Sequence, residues 1–166
     1  MSDGNLDGDR ELVRFELNGV PVEIDVVIDE PLSQVLRRLG ETTVRESCAV
    51  GLCGCCSALV DGTSVSACLF WAVMAEGTSV ETLDGLVNDE RVTALQDSIA
   101  EHGAAQCGYC TPGMVMTALE LFDAGPQSTD QIAAHMNGNL CRCACYPEMK
   151  CAIKDALANA SNNSAT

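Results

Sequence analysis

Aromatic residues are scarce in this chain. Phe, Trp and Tyr make up 4% of its 166 residues, too few for the stacking platforms of single-stranded nucleic-acid binders or for aromatic-rich ligand pockets. Basic residues are also few. Nine Lys and Arg stand against 24 Asp and Glu, a formal net charge of −15. Nucleic acid and anionic membrane surfaces are therefore poor partners. Solubility explains the acidity more simply than a specific basic docking partner does. No segment approaches the ~20 apolar residues of a membrane span. The start, MSDGNLDGDRE, is acidic and has no apolar stretch, so it does not read as a signal peptide. No Gly-rich dinucleotide fingerprint, phosphate loop or catalytic triad pattern occurs. The chain thus carries no visible substrate chemistry of its own.

Cysteine is abundant, at eleven residues. Without a secretory route these thiols are expected to bind metal rather than form a disulfide framework. A cytoplasmic location follows, with export alongside a partner subunit left open. Apolar residues make up 47% of the chain, enough for a packed core.

Residues 1–10 are polar and read as a disordered tail. Residues 11–85 are strand-rich. Val13, Phe15 and Leu17 alternate with polar residues, Asn18-Gly19 is a hairpin signal, and Val20, Val22, Ile24 and Val26 alternate again. Pro31 opens a helix carrying Leu32, Val35, Leu36 and Leu39, which Gly40 ends. Strands are expected over 57–60 and 64–68 around Asp61-Gly62, and over 78–83. Residues 86–158 read as helical. Val92, Leu95 and Ile99 share a face over 91–102. Thr111 is expected to cap a helix opening at Pro112, and Ser128 with Gln131 makes a capping-box pattern. A last helix is expected over 147–158, followed by a frayed tail over 159–166.

Cys48, Cys53 and Cys56 give C-x4-C-x2-C, and Cys68 follows. This is the spacing of plant-type ferredoxins, in which four thiolates converge on two irons. Gly51 and Gly54 let the loop wrap closely and turn N–H groups toward sulfur. The fourth thiol is delivered by the hairpin. A two-residue Asp61-Gly62 turn pairs positions whose numbers sum to 123, so Cys56 falls opposite Ala67, beside Cys68. Zinc is the main alternative, but zinc sites usually use two close-spaced pairs rather than three cysteines in one loop. Cys55 lies between two proposed ligands and should point away from them, as a packing thiol.

Cys107 and Cys110 form C-x2-C in QCGYCTPGM, and Cys141 and Cys143 form C-x-C in NGNLCRCACY. The first pair precedes a helix N-terminus, whose free N–H groups and dipole suit an anionic cluster. Taken alone, this second set could also hold zinc. Arg142 offsets cluster charge, meets a partner or is simply solvated. Cys145 could compete with Cys141 or Cys143, and Cys145 and Cys151 read more simply as packing thiols. His102 and His135 read as structural or surface residues.

The ordered segments CAVGLCGCCSALVDG, SACLFWA, VETLDGL, QCGYCTPGMVM and NGNLCRC resemble the small iron–sulfur subunit of the xanthine dehydrogenase family of molybdenum hydroxylases. That family includes small subunits of carbon monoxide dehydrogenase, aldehyde oxidoreductase, and nicotinate and isoquinoline dehydrogenases. The resemblance covers about residues 11–158. It implies an α+β chain: an N-terminal β-grasp [2Fe–2S] ferredoxin domain followed by an all-α, four-helix [2Fe–2S] domain. It implies two clusters, on Cys48, Cys53, Cys56 and Cys68 and on Cys107, Cys110, Cys141 and Cys143. It also implies a large molybdopterin-binding subunit and, commonly, a medium FAD-binding subunit. Gln106 and Cys110 match positions that contact the pterin in that family. The chain departs from the pattern at Cys55, usually a small residue, and at Ala144-Cys145, usually Thr-Gly. The expected function is electron transfer from molybdenum through both clusters to FAD or another acceptor, as the non-catalytic subunit of an oxidoreductase. The rivals are a free two-cluster ferredoxin and a zinc-stabilised interaction module.

Overall fold

A computed structural model of the chain describes residues 9–163. The first half is a five-stranded sheet with one short helix. β1 (Arg10–Leu17) and β2 (Val20–Val27) form an antiparallel hairpin. Asn18 and Gly19 turn it with φ of 53° and 79°, as a type I′ turn requires of both central residues. α1 (Leu32–Arg38) follows Pro31. β3 (Ser57–Val60) and β4 (Thr63–Ser66) pair around Asp61-Gly62, whose φ values of 49° and 77° repeat the same turn chemistry. β5 (Ser79–Glu81) inserts between the hairpins, parallel to β1 and antiparallel to β3. The strand order is β2-β1-β5-β3-β4. Val13, Phe15, Val35 and Leu36 pack one core between sheet and helix.

The second half is helical: α2 (Glu90–Glu101), α3 (Thr111–Asp123), α4 (Thr129–His135) and α5 (Tyr146–Asn163). Asp89 caps α2 by accepting from the N–H groups of Arg91 and Val92, and the Ser128/Gln131 capping box opens α4. Leu95, Leu119, Ile132 and Ile153 pack the second core. The Ser98 hydroxyl ties α2 to α5 by donating to the Ala152 carbonyl at 2.8 Å. The chain is thus α+β, with four helices after the sheet. α3 lies along β3, so the two halves share a packed face. No helix among the described residues is long and apolar enough to cross a membrane.

Several expectations change. Thr111 is the first residue of α3 rather than its cap; Cys110 holds the cap position and no side chain caps the helix. Pro112 makes side-chain capping less needed, because it has no N–H to satisfy. β4 ends at Ser66, not Cys68, since the N–H groups of Leu69 and Phe70 both turn back to the Ser66 carbonyl. The disordered tail expected over 1–10 lies outside the described residues for 1–8, and Arg10 already belongs to β1. The frayed tail expected over 159–166 is helical as far as Asn163, and residues 164–166 lie outside the described residues.

Candidate iron–sulfur sites

The loop 48–56 is shaped by residues with left-handed backbone: Ala49 at φ 52°, Gly51 at 72° and Gly54 at 64°. This path turns amides toward sulfur. The Cys48 Sγ accepts from the N–H of Val50 at 3.5 Å and of Leu52 at 3.4 Å. Chiefly the Val50 N–H, and then the Cys53 thiol, bring the Cys48 pKa down to about 6. Cys56 is buried at the foot of β3, and its carbonyl accepts from the Ala67 N–H at 3.4 Å. The register therefore sets Cys56 opposite Ala67 and beside Cys68. Burial, together with the neighbouring Cys68 thiol, pushes Cys56 up to about 12. Cys48 neighbours Cys53, and Cys56 neighbours Cys68 and Cys53, with three of these thiols on the loop and one on the turn after β4; Cys48 and Cys53 pack toward the helical-side core, Cys56 and Cys68 in the sheet-side core.

The second group joins the N-terminus of α3 to the segment before α5. Cys107 and Cys143 approach to 3.6 Å between sulfurs. With metal–sulfur bonds of about 2.3 Å, two thiolates on one tetrahedral metal stand about 3.8 Å apart, so this pair has the spacing for a shared iron. Cys110 faces Cys141. Burial raises Cys110 to about 12. At Cys141 burial acts upward, but hydrogen bonds from the Cys145 N–H and from the Cys145 and Cys110 thiols outweigh it and bring the pKa to about 7. A cavity of about 410 Å³ lies among these residues, lined by Cys107, Cys110 and Cys141 and, from the first loop, by Cys53 and Cys55. Arg142 is exposed at its edge.

The two sites are held together by backbone. A Cβ on Gly113 of α3 would overlap the Gly54 carbonyl oxygen and lie 3.0 Å from the Cys55 Cα. Only glycine lets α3 come this close to the first loop. The same Gly54 carbonyl accepts from the buried Asn139 side chain at 3.2 Å, and the Cys53 carbonyl accepts from the Leu140 N–H at 2.9 Å. From the sheet side, the Arg45 guanidinium donates to the carbonyls of Gly108 and Tyr109 at 2.7 and 3.1 Å and lies over the Tyr109 ring. Sequence reading missed Gly113, Asn139 and Arg45. Their partners are remote in sequence, and no local pattern announces them.

The remaining thiols occupy distinct places. Cys55 packs in the helical-side core while Cys56 packs in the sheet-side core, the opposed directions expected of neighbours entering a strand. Cys145 is buried 3.2 Å from the Cys141 sulfur, and Cys151 is exposed. The left-handed residue here is Ala144, at φ 60°, so a side chain at 145 meets no such restriction. His102 bonds to Ser98 and Asp155, and His135 to Thr117 and Glu120. Gln106 and Cys110 do not share a surface. Gln106 is exposed and donates to the Cys143 carbonyl at 3.4 Å, whereas Cys110 is 9% exposed at the head of α3. The exposed or half-exposed thiols beside Gln106 are Cys107 and Cys143.

The donor chemistry fits iron–sulfur clusters. Each set offers four thiols, and N–H groups are already aimed at sulfur, as a cluster with partly charged sulfurs requires. Among the described residues no three Cys, His, Asp or Glu side chains meet at a single-ion point. In the second set the thiols are instead spaced as two facing pairs, Cys107 with Cys143 and Cys110 with Cys141, which matches a binuclear cluster better than one zinc ion.

Fold and thiol geometry together define a two-cluster iron–sulfur protein. Residues 15–82 match the 2Fe-2S iron-sulfur cluster binding domain, and residues 82–154 match the [2Fe-2S] binding domain. The chain is 39% identical over 137 residues to the xanthine dehydrogenase iron-sulfur-binding subunit of Escherichia coli O157:H7, covering 81% of this chain and 86% of that one. It is 38% identical over 155 residues to the nicotinate dehydrogenase small FeS subunit of Eubacterium barkeri, covering 90% and 97%. A chain of quinoline 2-oxidoreductase from Pseudomonas putida 86 superposes with a TM-score of 0.85 at 40% identity, covering 93% of this chain and 97% of that one. The chain belongs to the family of small [2Fe–2S] subunits of the xanthine dehydrogenase-type molybdenum hydroxylases.

Proposed function

We propose that this chain is the electron-transfer subunit of a molybdopterin-dependent hydroxylase or dehydrogenase. The observation that carries the reading is the joining of two four-thiol sets through the Gly54–Gly113 backbone contact, with Cys53 and Cys55 bordering the cavity of the second set. When bound, the two [2Fe–2S] groups supply one-electron redox chemistry between a molybdopterin-binding large subunit and FAD, or another acceptor, in a partner. The chain's own residues supply the ligands, Cys48, Cys53, Cys56 and Cys68 in one set and Cys107, Cys110, Cys141 and Cys143 in the other. They also supply hydrogen bonds to sulfur, exclude water by burial and fix the distance between the sets.

Gln106, with Cys107 and Cys143, presents the exposed edge of the second set, and we assign the pterin-facing role to that edge. Cys110, 9% exposed, is assigned as a ligand, and its pterin contact is proposed through the cavity that it lines with Cys107. The sheet-side domain is taken as residues 11–85 and the helical domain as 86–158, with α5 running on beyond it. Eleven unpaired thiols suit a reducing cytoplasm.

Metal analysis of the purified complex tests this reading. About four irons and about four labile sulfides per chain are expected, with two distinct paramagnetic signals on reduction and a molybdopterin chain in the same complex. Stoichiometric zinc without sulfide would overturn it.

A further inference from the structure

The second site holds a fifth thiol that the eight-ligand assignment does not use. The Cys145 sulfur lies 3.2 Å from the Cys141 sulfur, and both side chains are buried. That separation is shorter than the about 3.8 Å expected of two thiolates on one tetrahedral metal. It suits a thiol directed at a thiolate. Cys145 is also fixed in place. It follows left-handed Ala144 and stands immediately before α5, where its carbonyl accepts from the Met149 N–H at 3.0 Å. The Cys141 amide is occupied separately, donating to the Tyr146 hydroxyl at 2.7 Å. The Cys145 thiol lies within hydrogen-bond distance of the Cys141 sulfur, beside the Cys145 N–H and the Cys110 thiol that also face it.

We infer that Cys145 is a positioning residue whose thiol donates a hydrogen bond to the Cys141 ligand sulfur and raises the reduction potential of the helical-domain cluster. This rests on the reading of Cys141 as a ligand. The physical basis is the added electron. Reduction makes the cluster and its ligand sulfurs more negative, so a donor aimed at one of them stabilises the reduced form more than the oxidised form. Only the difference in this hydrogen bond between the two redox states moves the potential. A change of about tenfold in the oxidised-to-reduced ratio is the expected scale, which is about 59 mV for one electron. At the other site the Cys48 sulfur accepts from the Val50 and Leu52 amides.

The test is a redox titration followed by electron paramagnetic resonance, on the complex as purified. Wild type is compared with Cys145→Ala, Cys145→Gly and Cys145→Ser. The Ala and Gly variants remove the donor and should keep both clusters, with the helical-domain signal appearing at a potential lower by about the tenfold shift. The Ser variant restores a donor and should recover most of that shift. The signal of the other cluster should not move. An unchanged potential in both Ala and Gly variants overturns the proposal. So does loss of the cluster in either, which would make Cys145 a ligand or a structural requirement. Cys141→Ser is run alongside. If it leaves the helical-domain signal untouched, the ligand reading itself fails. If it alters that signal while Cys145→Ala does not, only the present inference fails.

Discussion

Gly113→Ala probes the contact that holds the two thiol sets together. The new methyl group would sit inside the Gly54 carbonyl oxygen and against the Cys55 Cα, both backbone atoms. A flexible side chain could swing aside, but this loop cannot. The Gly54 carbonyl is anchored by the Asn139 amide at 3.2 Å and the Ser57 hydroxyl at 3.0 Å, and Gly54 already needs its left-handed φ of 64°. The relief must come from α3 moving away from the loop. Overpacking of this kind costs about 1–3 kcal/mol. The gain from replacing glycine in a helix is about 0.5–1 kcal/mol and lessens the cost without cancelling it. For a chain of this length each kcal/mol is about 2–4 °C in Tm, so a fall of several degrees is expected. The shift should also separate the two clusters, weakening the magnetic interaction between their reduced forms. Gly138→Ala is the control. Nothing lies within 4 Å of a Cβ there, and its φ is not left-handed, so stability should stay within about 0.5 kcal/mol. Thermal melts and paired paramagnetic resonance spectra of both variants would decide. A Gly113→Ala protein with wild-type Tm and an unchanged spectrum would refute the argument that this contact sets the spacing.

Asn139→Ala should destabilise the chain by about 0.5–1.5 kcal/mol, because the 4% exposed amide donates to the Gly54 carbonyl alongside the Ser57 hydroxyl, which keeps that acceptor partnered when the amide is lost; denaturant unfolding would measure it, and an unchanged stability would count against it. Reconstitution of the cluster-free chain with iron and sulfide should speed up from pH 6.5 to pH 8.5. Ligand thiols must lose protons to bind metal, and burial holds Cys56 and Cys110 near 12 while Cys48 and Cys141 lie near 6 and 7. Raising pH therefore favours loading, and the return of visible absorbance followed at several pH values would show a flat or falling profile if the reasoning were wrong.

Short-range features were legible in the sequence. Asn18-Gly19 and Asp61-Gly62 turn as expected because few residues tolerate two successive positive φ values, so the residue types themselves specify the turn. Once the second turn is placed, its register carries Cys56 to the position opposite Ala67 with no knowledge of the rest of the fold. The four helices follow from their apolar spacing and from the Ser128 capping box. Both cysteine sets are legible for the same reason, since metal chemistry demands thiols at restricted spacings.

What only the tertiary structure decided is how these pieces meet. Cys107 reaches Cys143 across 36 residues, Arg45 reaches Gly108 across 63, and Asn139 reaches Gly54 across 85. Each approach depends on α3 lying against β3, which depends in turn on two cores and the absence of a side chain at Gly113. The burial of Cys110, the exposure of Gln106 and the position of Cys145 beside Cys141 are of this kind. Local sequence fixes the backbone dihedrals of a turn or cap within a few residues. The distance between two sulfurs is a property of close packing over the whole chain, where any one position is set by neighbours from several elements at once.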